Sequence, residues 1–166
     1  MTKSIKIIID WLYEKKLNGS LSRFGGEVLN VISLAKFIDG MLFVGSNNGL
    51  APLWMRAGVP NSRLDIIDGN ADKLRTVFQK ASVVNIGIFE TKKVDFYQYD
   101  LVYFEKEQDD LEFMKTIAKQ LLPDAFVIFA GHNPSDEVVQ CFTDLGIKRA
   151  KPFIKTLIGD LVIIKL

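Results

Sequence analysis

Residues 41–68 read MLFVGSNNGLAPLWMRAGVPNSRLDIID, and the order of apolar runs and turns in this stretch decides the fold. A first apolar run leads into a glycine turn at 45–49, which is followed by an apolar helical pattern at 50–57. After a second turn, another apolar run ends in the carboxylate of Asp68. Strand, turn, helix and strand in this order predict one βαβ unit.

This unit has the order that a nucleotide site needs. Gly45 and Gly49 would let the backbone approach a ligand closely, and the following helix would direct its N-terminal amides toward that ligand. Asp68, at the end of the second strand, can accept hydrogen bonds from two ribose hydroxyls. Its alternative role is to interact with the dipole of the next helix. We predict that the ligand lies over the carboxyl ends of these two strands.

The same residues resemble the start of the class I S-adenosylmethionine-dependent methyltransferase domain. That family has an acid near the end of the first strand, then Gly-x-Gly-x-Gly, then an acid at the end of the second strand, and Gly45, Gly49 and Asp68 match it. Phe43 stands where the family has the first acid, which lies near the amino end of the cofactor, and Asn47 stands at the middle glycine. The resemblance implies S-adenosylmethionine as cofactor and methyl transfer to an acceptor that the sequence does not identify.

The rest of the chain follows the order of that family. Helical patterns at 4–17 and 26–38 precede the first strand, and βα units continue to a helix at 134–145 that Gly146 is predicted to end. Residues 121–125 are predicted to close a helix and to turn before the fifth strand.

The last two apolar runs, at 152–158 and 161–166, are too close together for a crossover helix and are predicted to pair as an antiparallel hairpin. The predicted fold class is α/β, a three-layer αβα sandwich. Its seven-stranded sheet is mostly parallel and ends in the C-terminal antiparallel hairpin, as in the Rossmann-like methyltransferase fold. We expect a single methyltransferase-like domain over 1–166, with N-terminal helices at 1–38 and the βα core at 41–166.

The resemblance implies a cofactor site at the ends of the first three strands. The glycine turn would hold the methionine part of the cofactor, and Asp68 would bind its ribose. The next turn would line the adenine, and an acid after the third strand would bind the adenine amine. The predicted cofactor-binding residues are Gly45, Ser46, Asn47, Gly49, Asp68, Gly69, Asn70 and Glu90. Asn70 is also a plausible N-cap for the helix that it precedes.

Two side chains after later strands are candidate catalytic residues. Glu105 follows the fourth strand and could orient or deprotonate an acceptor, while His132 follows the fifth strand and could accept a proton near neutral pH. Their alternative roles are a solvated loop charge and a residue in a helix-capping loop. The sulfonium of the cofactor already activates the methyl group, so the protein mainly has to align the reactants. No metal site is predicted, and the single cysteine, Cys141, cannot form a cysteine cluster.

Composition limits the partners. The chain has 21 Lys and Arg against 20 Asp and Glu, a balance that does not indicate a dedicated nucleic-acid binder. Neither a signal peptide nor a membrane span is evident, so a cytoplasmic location is expected. Trp11 and Trp54 are predicted to lie in the core. No appended substrate domain is evident, so we expect a small acceptor, or one held by the N-terminal helices, a second copy of the chain or a partner subunit.

Two other functions remain open. The chain could be a non-catalytic relative that acts as a ligand-binding or subunit module, which Phe43 and Asn47 favour. It could also be a nicotinamide-dinucleotide enzyme. That class requires Gly-x-Gly-x-x-Gly, whereas Asn47 and Leu50 occupy the second and third glycine positions, and the terminal hairpin also argues against it.

Overall fold

The computed structural model describes residues 1–17, 21–35, 38–45, 48–89, 98–105, 110–148 and 154–166, with the backbone alone for 145–148 and 154. After two initial helices, strands and helices alternate in this part of the chain, except that no described helix lies between the third and fourth strands or between the sixth and seventh. The helices are α1 Lys3–Glu14, α2 Arg23–Ala35, α3 Leu50–Gly58, α4 Ala71–Lys80, α5 Leu111–Lys119 and α6 Asp136–Lys148. The strands are β1 Gly40–Val44, β2 Arg63–Ile67, β3 Ile86–Phe89, β4 Tyr99–Glu105, β5 Leu121–Ala130, β6 Ile154–Ile158 and β7 Leu161–Lys165.

All the strands form one seven-stranded sheet in the order β3-β2-β1-β4-β5-β7-β6. The pairs among β1 to β5 are parallel, whereas β7 runs antiparallel to both β5 and β6. The terminal hairpin therefore joins the main sheet through its second strand. The chain continues from β1 to β2 on one side, whereas β4 lies on the other. This places the topological switch point between β1 and β4.

Helices cover both faces of the sheet and give the three predicted layers. On one face, the apolar sides of α1, α3 and α4 pack with Leu29 of α2 and with the side chains of β1, β2 and β4 that point toward them. On the other face, α5 and α6 pack on the alternate side chains of β4, β5 and β7. The fold class predicted from the sequence is confirmed. Among the described helices, none is both long enough and apolar enough to span a bilayer.

Three helices have other bounds than predicted, and the first of them, α1, ends at Glu14 and not at residue 17. Helix α2 begins at Arg23 and ends at Ala35, not at 26–38, because Ser22 starts it: its Oγ accepts a hydrogen bond from the amide of Gly25 at 2.9 Å. Helix α6 continues through Gly146 to Lys148, so the predicted stop at Gly146 was wrong. A glycine inside a helix is unfavourable but tolerated.

Residues 121–125 form the first half of β5 and not a helix end followed by a turn. Tyr99 pairs with Leu121 and Leu101 pairs with Phe126, so residues 122–125 lie opposite Asp100 alone. This bulge contains Asp124 at a φ of 67°. The turn-forming residues of this segment therefore bend a strand that has already begun.

One of the two tryptophans was placed wrongly. Trp54 is buried as predicted, whereas Trp11 is 42% exposed. Helix α1 buries Ile5, Ile9 and Leu12, which lie on one stripe of the helix. Trp11 lies beside this stripe and not on it.

Candidate functional site

The carboxyl ends of β1 and β2 lie side by side. Val44 pairs with Ile67, and the amide of Gly45 donates to the carbonyl oxygen of Ile67 at 3.1 Å. One residue later, the amide of Asp68 donates to the carbonyl oxygen of Phe89 at the end of β3, at 3.0 Å. The structure thus places Gly45 and Asp68 next to each other at the same edge of the sheet.

Asp68 is held at the start of α4. Its side chain is buried, and Oδ1 accepts a hydrogen bond from the amide of Asn70 at 2.7 Å. Asn70 is the N-cap residue of α4, as predicted, although its own side chain makes no capping hydrogen bond. Gly69 and Asn70 are exposed, and a Cβ built on Gly69 would meet no atom within 4 Å. The space over this turn is open.

The structure explains why positions 45 and 49 of the first turn are both glycine. A Cβ on Gly45 would lie 2.9 Å from Cζ of Phe43 and 2.9 Å from Cβ of Glu105. Gly49 has a φ of 89°, which is strained for other residues, and a Cβ there would lie 3.3 Å from Leu74. These glycines would be needed with or without a ligand. Ser46, Asn47 and Glu90, the other predicted cofactor residues, lie outside the described part of the chain.

Phe43 belongs to the core and not to the site. Its ring is fully buried and stacks on Tyr103, with 5.6 Å between the ring centroids and 17° between the planes. The acid that the methyltransferase family has at this position is thus replaced by an apolar contact. Glu105, at the end of the neighbouring strand β4, instead places an acidic residue beside Gly45: its Cβ would lie 2.9 Å from a Cβ on Gly45, and the residue is only 4% exposed.

The two candidate catalytic residues lie at the same edge but on opposite faces of the sheet. Glu105 alternates with Phe104, so it is on the face of Tyr103, toward α1 to α3. The ring of His132 packs edge-on against Phe129 on the face of α5 and α6, with 5.8 Å between centroids. The structure does not bring these two side chains into one cluster.

The ring orientation of His132 assigns its two nitrogens. Nδ1 lies 3.0 Å from the carbonyl oxygen of Ala130, which can only accept a hydrogen bond. Nδ1 therefore carries the proton in the neutral ring, and Nε2 has the lone pair. This arrangement leaves Nε2 as the atom that could accept a proton from a substrate.

A contact that the sequence reasoning missed joins the terminal hairpin to the N-terminal helices. Asp160, in the turn between β6 and β7, accepts hydrogen bonds from the amide of Ser22 at 2.9 Å and from its Oγ at 3.0 Å. Ser22 in turn starts α2. No local pattern could reveal a bond between residues 138 positions apart.

Tyr103 was also missed. Its side chain is fully buried, and its hydroxyl has no hydrogen-bond partner in the described part of the chain. Burial raises the pKa of Tyr103 well above its usual value, and the carboxylates of Glu105 and Asp160 act in the same direction. The hydroxyl therefore stays protonated. The position of this tyrosine inside the apolar run LVYFE is the one sequence signal that could have predicted a buried hydroxyl.

Within the described residues, no group of three or more His, Cys, Asp and Glu side chains is arranged to hold a metal ion. The described polar groups at the carboxyl edge include those of Asp68, Glu105, His132 and Asp160, together with the buried hydroxyl of Tyr103. These groups offer hydrogen-bond acceptors and negative charge to a cationic, hydroxylated ligand.

Comparison with known proteins supports the fold. No protein-family profile and no curated protein sequence matches the chain. Solved structures do match, and an O-methyltransferase from Bacillus cereus in complex with SAH superposes with a TM-score of 0.67 at 14% identity, covering 99% of this chain and 90% of that one. The chain has the methyltransferase fold.

Two further solved structures are similar over nearly their whole length. An SAH-bound methyltransferase from Podospora anserina has a TM-score of 0.70 at 14% identity and covers 99% of this chain and 88% of that one. An O-methyltransferase from Streptomyces achromogenes, involved in tomaymycin synthesis and in complex with SAM, has a TM-score of 0.64 at 16% identity, covering 100% and 90%. At this low identity the likeness is one of fold, and it confirms the fold that the resemblance implied.

Proposed function

We propose that this chain is a methyltransferase that binds S-adenosylmethionine over the carboxyl ends of β1 and β2. The observation that carries the proposal is the placement of Gly45 and Asp68 on adjacent strands, next to the topological switch point of the sheet. Ligands of open α/β sheets bind at such switch points. The solved structures of this fold that hold SAH or SAM support the same choice of cofactor.

Asp68 is assigned to the ribose. Its Oδ1 is oriented by the amide of Asn70, so the carboxylate is preorganised to accept hydrogen bonds from a diol. The open space over Gly69 suits a flat ring such as adenine, which Gly69 and Asn70 would line. Ser46, Asn47 and Glu90 keep the cofactor roles that the resemblance implies.

Glu105 is assigned to the amino end of the cofactor, in place of the acid that Phe43 replaces. Its Cβ lies beside the position where a Cβ of Gly45 would be, so its carboxylate is on the neighbouring strand at the same level of the edge. The cofactor carries an ammonium and a sulfonium charge. Two mostly buried carboxylates, Asp68 and Glu105, make this edge complementary to those charges.

His132 is assigned the role of accepting the proton from the methyl acceptor. Nε2 has the lone pair, and the ring is fixed by the bond from Nδ1 to Ala130 and by the contact with Phe129. Two of the three solved structures named above are O-methyltransferases, so we infer a small hydroxyl compound as the acceptor class. A base near neutral pH assists attack by such a hydroxyl.

The test of cofactor binding is calorimetric titration with S-adenosylhomocysteine. We expect saturable binding, and we expect Asp68→Asn to weaken it about tenfold or more, because hydrogen bonds to a charged group are worth about 1.5–3 kcal/mol. Asp72→Asn is the matched control, since Asp72 is an exposed acid in the first turn of α4 that pairs with Arg75 at 2.8 Å. Equal affinities for the two variants would contradict the ribose assignment.

A second candidate function is a ligand-binding module without catalysis, and the burial of Phe43 at the position of the family acid favours it. The two functions separate when labelled S-adenosylmethionine is offered with a panel of phenols and hydroxy acids. Transfer that is reduced in His132→Gln at unchanged S-adenosylhomocysteine affinity supports the enzyme. Binding without transfer to any member of the panel supports the module.

A further inference from the structure

A cavity lies between helices α1 and α4 and reaches the turn after β1 at Asn48. Its volume is about 430 Å³, within the range of small-molecule sites, and most of its surface is apolar. Ile8, Trp11 and Leu17 line it from the side of α1, while Lys73, Thr76 and Lys80 line it from α4. Trp11, which is 42% exposed, and Ile7, which is 56% exposed, leave the apolar wall open to solvent.

The cavity has one end closed by hydrogen bonds. Lys73 Nζ donates to Oδ1 of Asn48, and Nδ2 of Asn48 donates to the carbonyl oxygen of Leu17 at 3.0 Å. Lys80 lies at the other end of α4, about 10 Å from Lys73 along the helix axis. A ligand in the cavity would thus have an ammonium group at each end and apolar side chains between them.

The charge of the cavity is positive. Its described lining contains Lys73 and Lys80 but no acidic residue. Helices α1 and α4 carry three acids: Asp10 pairs with Arg23 at 2.9 Å, Asp72 pairs with Arg75 at 2.8 Å, and Glu14, at the end of α1, is not part of the lining. Lys80 has no ion-pair partner within the described residues, so its ammonium can receive an anion.

We propose that this cavity binds a small amphipathic anion, a monocarboxylate with an unbranched apolar tail. The tail lies along Ile8 and Trp11 toward Leu17, and the carboxylate pairs with Lys80. Both parts follow from the lining: apolar walls need an apolar occupant, and a cationic rim without acids selects a negative head group. The cavity meets the turn after β1 only through Asn48, and the proposal does not depend on the proposed function.

Fluorescence of Trp11 tests the proposal. The chain has two tryptophans, so a Trp54→Phe background leaves Trp11 as the reporter. Titration with monomeric decanoate should shift its emission to the blue with saturation. Decanol should bind about two- to fivefold more weakly, the value of one partly exposed ion pair.

Two pairs of variants locate the site. Lys80→Met should remove the preference for decanoate over decanol. Lys119→Met is the matched control, since Lys119 also lies in the last turn of a helix but does not line the cavity, and it should keep the preference. Thr76→Phe should fill the cavity and abolish binding. Thr116→Phe is its matched control, since both hydroxyls are exposed and donate to the carbonyl oxygen four residues earlier.

Several results would overturn the proposal. These are equal affinity for decanoate and decanol, equal binding by Thr76→Phe and Thr116→Phe, and binding to anionic vesicles without binding of the monomer. Thermal unfolding of each variant shows that it is folded. Asp68→Asn should bind decanoate as the parent does. If this variant loses affinity for decanoate as well as for S-adenosylhomocysteine, decanoate binds at the strand ends and not in this cavity.

Discussion

The two edges of the sheet bury polar side chains for different purposes. At the amino edge, Arg56 is fully buried and donates to the carbonyl oxygens of Val59, at 3.2 Å, and of Ser62 and Val84. Ser62 Oγ donates to the carbonyl oxygen of Ile38. These bonds join the end of α3 to the starts of β1 and β2 and to the residues before β3.

At the amino edge, acidic side chains also bond to other parts of the chain. The side chain of Asp100 accepts hydrogen bonds from the amides of Asp39, at 3.1 Å, and Gly40, at 3.3 Å. Close by, the buried carboxylate of Asp65 accepts from Arg63 Nε at 3.0 Å and from the hydroxyl of Tyr99 at 2.8 Å. At this edge the described polar side chains therefore bond mainly to the chain itself.

The carboxyl edge differs in the chemistry that it presents. Asp68 and Glu105 are mostly buried acids at the ends of neighbouring strands, Tyr103 has a buried hydroxyl without a partner in the described chain, and the turn at Gly69 is open. Burying a hydroxyl without a partner is unfavourable. The bonds of the amino edge stabilise the fold, whereas the carboxyl edge carries the ligand site that we propose.

The largest expected effect tests the amino edge. Arg56→Met leaves three carbonyl groups without their donor, so the free energy of unfolding should fall by about 3–5 kcal/mol. Arg75→Met, on the exposed face of α4, should change it by less than about 0.5 kcal/mol. Chemical denaturation measures both values, and similar values would show that the Arg56 bonds do not stabilise this edge.

The next effect tests the carboxyl edge through ligand binding. Gly69→Ala adds a methyl group to open space, so stability should stay within about 0.5 kcal/mol, while S-adenosylhomocysteine should bind about tenfold more weakly because the methyl group takes up ligand space. Gly45→Ala, by contrast, meets Phe43 and Glu105 at 2.9 Å. It should destabilise the fold by about 1–3 kcal/mol. If Gly69→Ala leaves the affinity for S-adenosylhomocysteine unchanged, the adenine does not lie over Gly69.

The smallest effect concerns Tyr103. Removing a buried hydroxyl without a partner should raise the free energy of unfolding by about 1 kcal/mol at pH 7 in Tyr103→Phe. The pKa of Tyr103 is raised in the folded state, so the unfolded chain loses the proton first, and the wild type should lose stability as the pH rises above about 10. Denaturation at several pH values should show a shallower loss in the variant, and parallel curves would contradict the burial of a protonated hydroxyl.

The sequence predicted those elements of the fold that depend on neighbouring residues. The run ending in Asp68, the glycine turn and the short gap at Gly159 and Asp160 predicted the βαβ unit and the hairpin, because apolar period and loop length determine these elements. The relative placement of Gly45 and Asp68 followed from the parallel strands.

The parts that could not be predicted depend on contacts between distant residues. Tyr103 and Asp160 acquire their roles from what covers them, and the exposure of Trp11 depends on which side of α1 the other helices leave uncovered. The bulge at 122–125 contains turn residues that the register of β4 and β5 places inside a strand. The opposite faces of Glu105 and His132 likewise appear only once the sheet is formed.

Hydrogen exchange with and without S-adenosylhomocysteine tests the difference between the two edges most directly. The account predicts slower exchange in the peptides that carry Gly45, Gly49 and Asp68, and no change in those that carry Gly40, Ser62 and Asn85. Protection at the amino edge, or none at the carboxyl edge under saturating ligand, would contradict it.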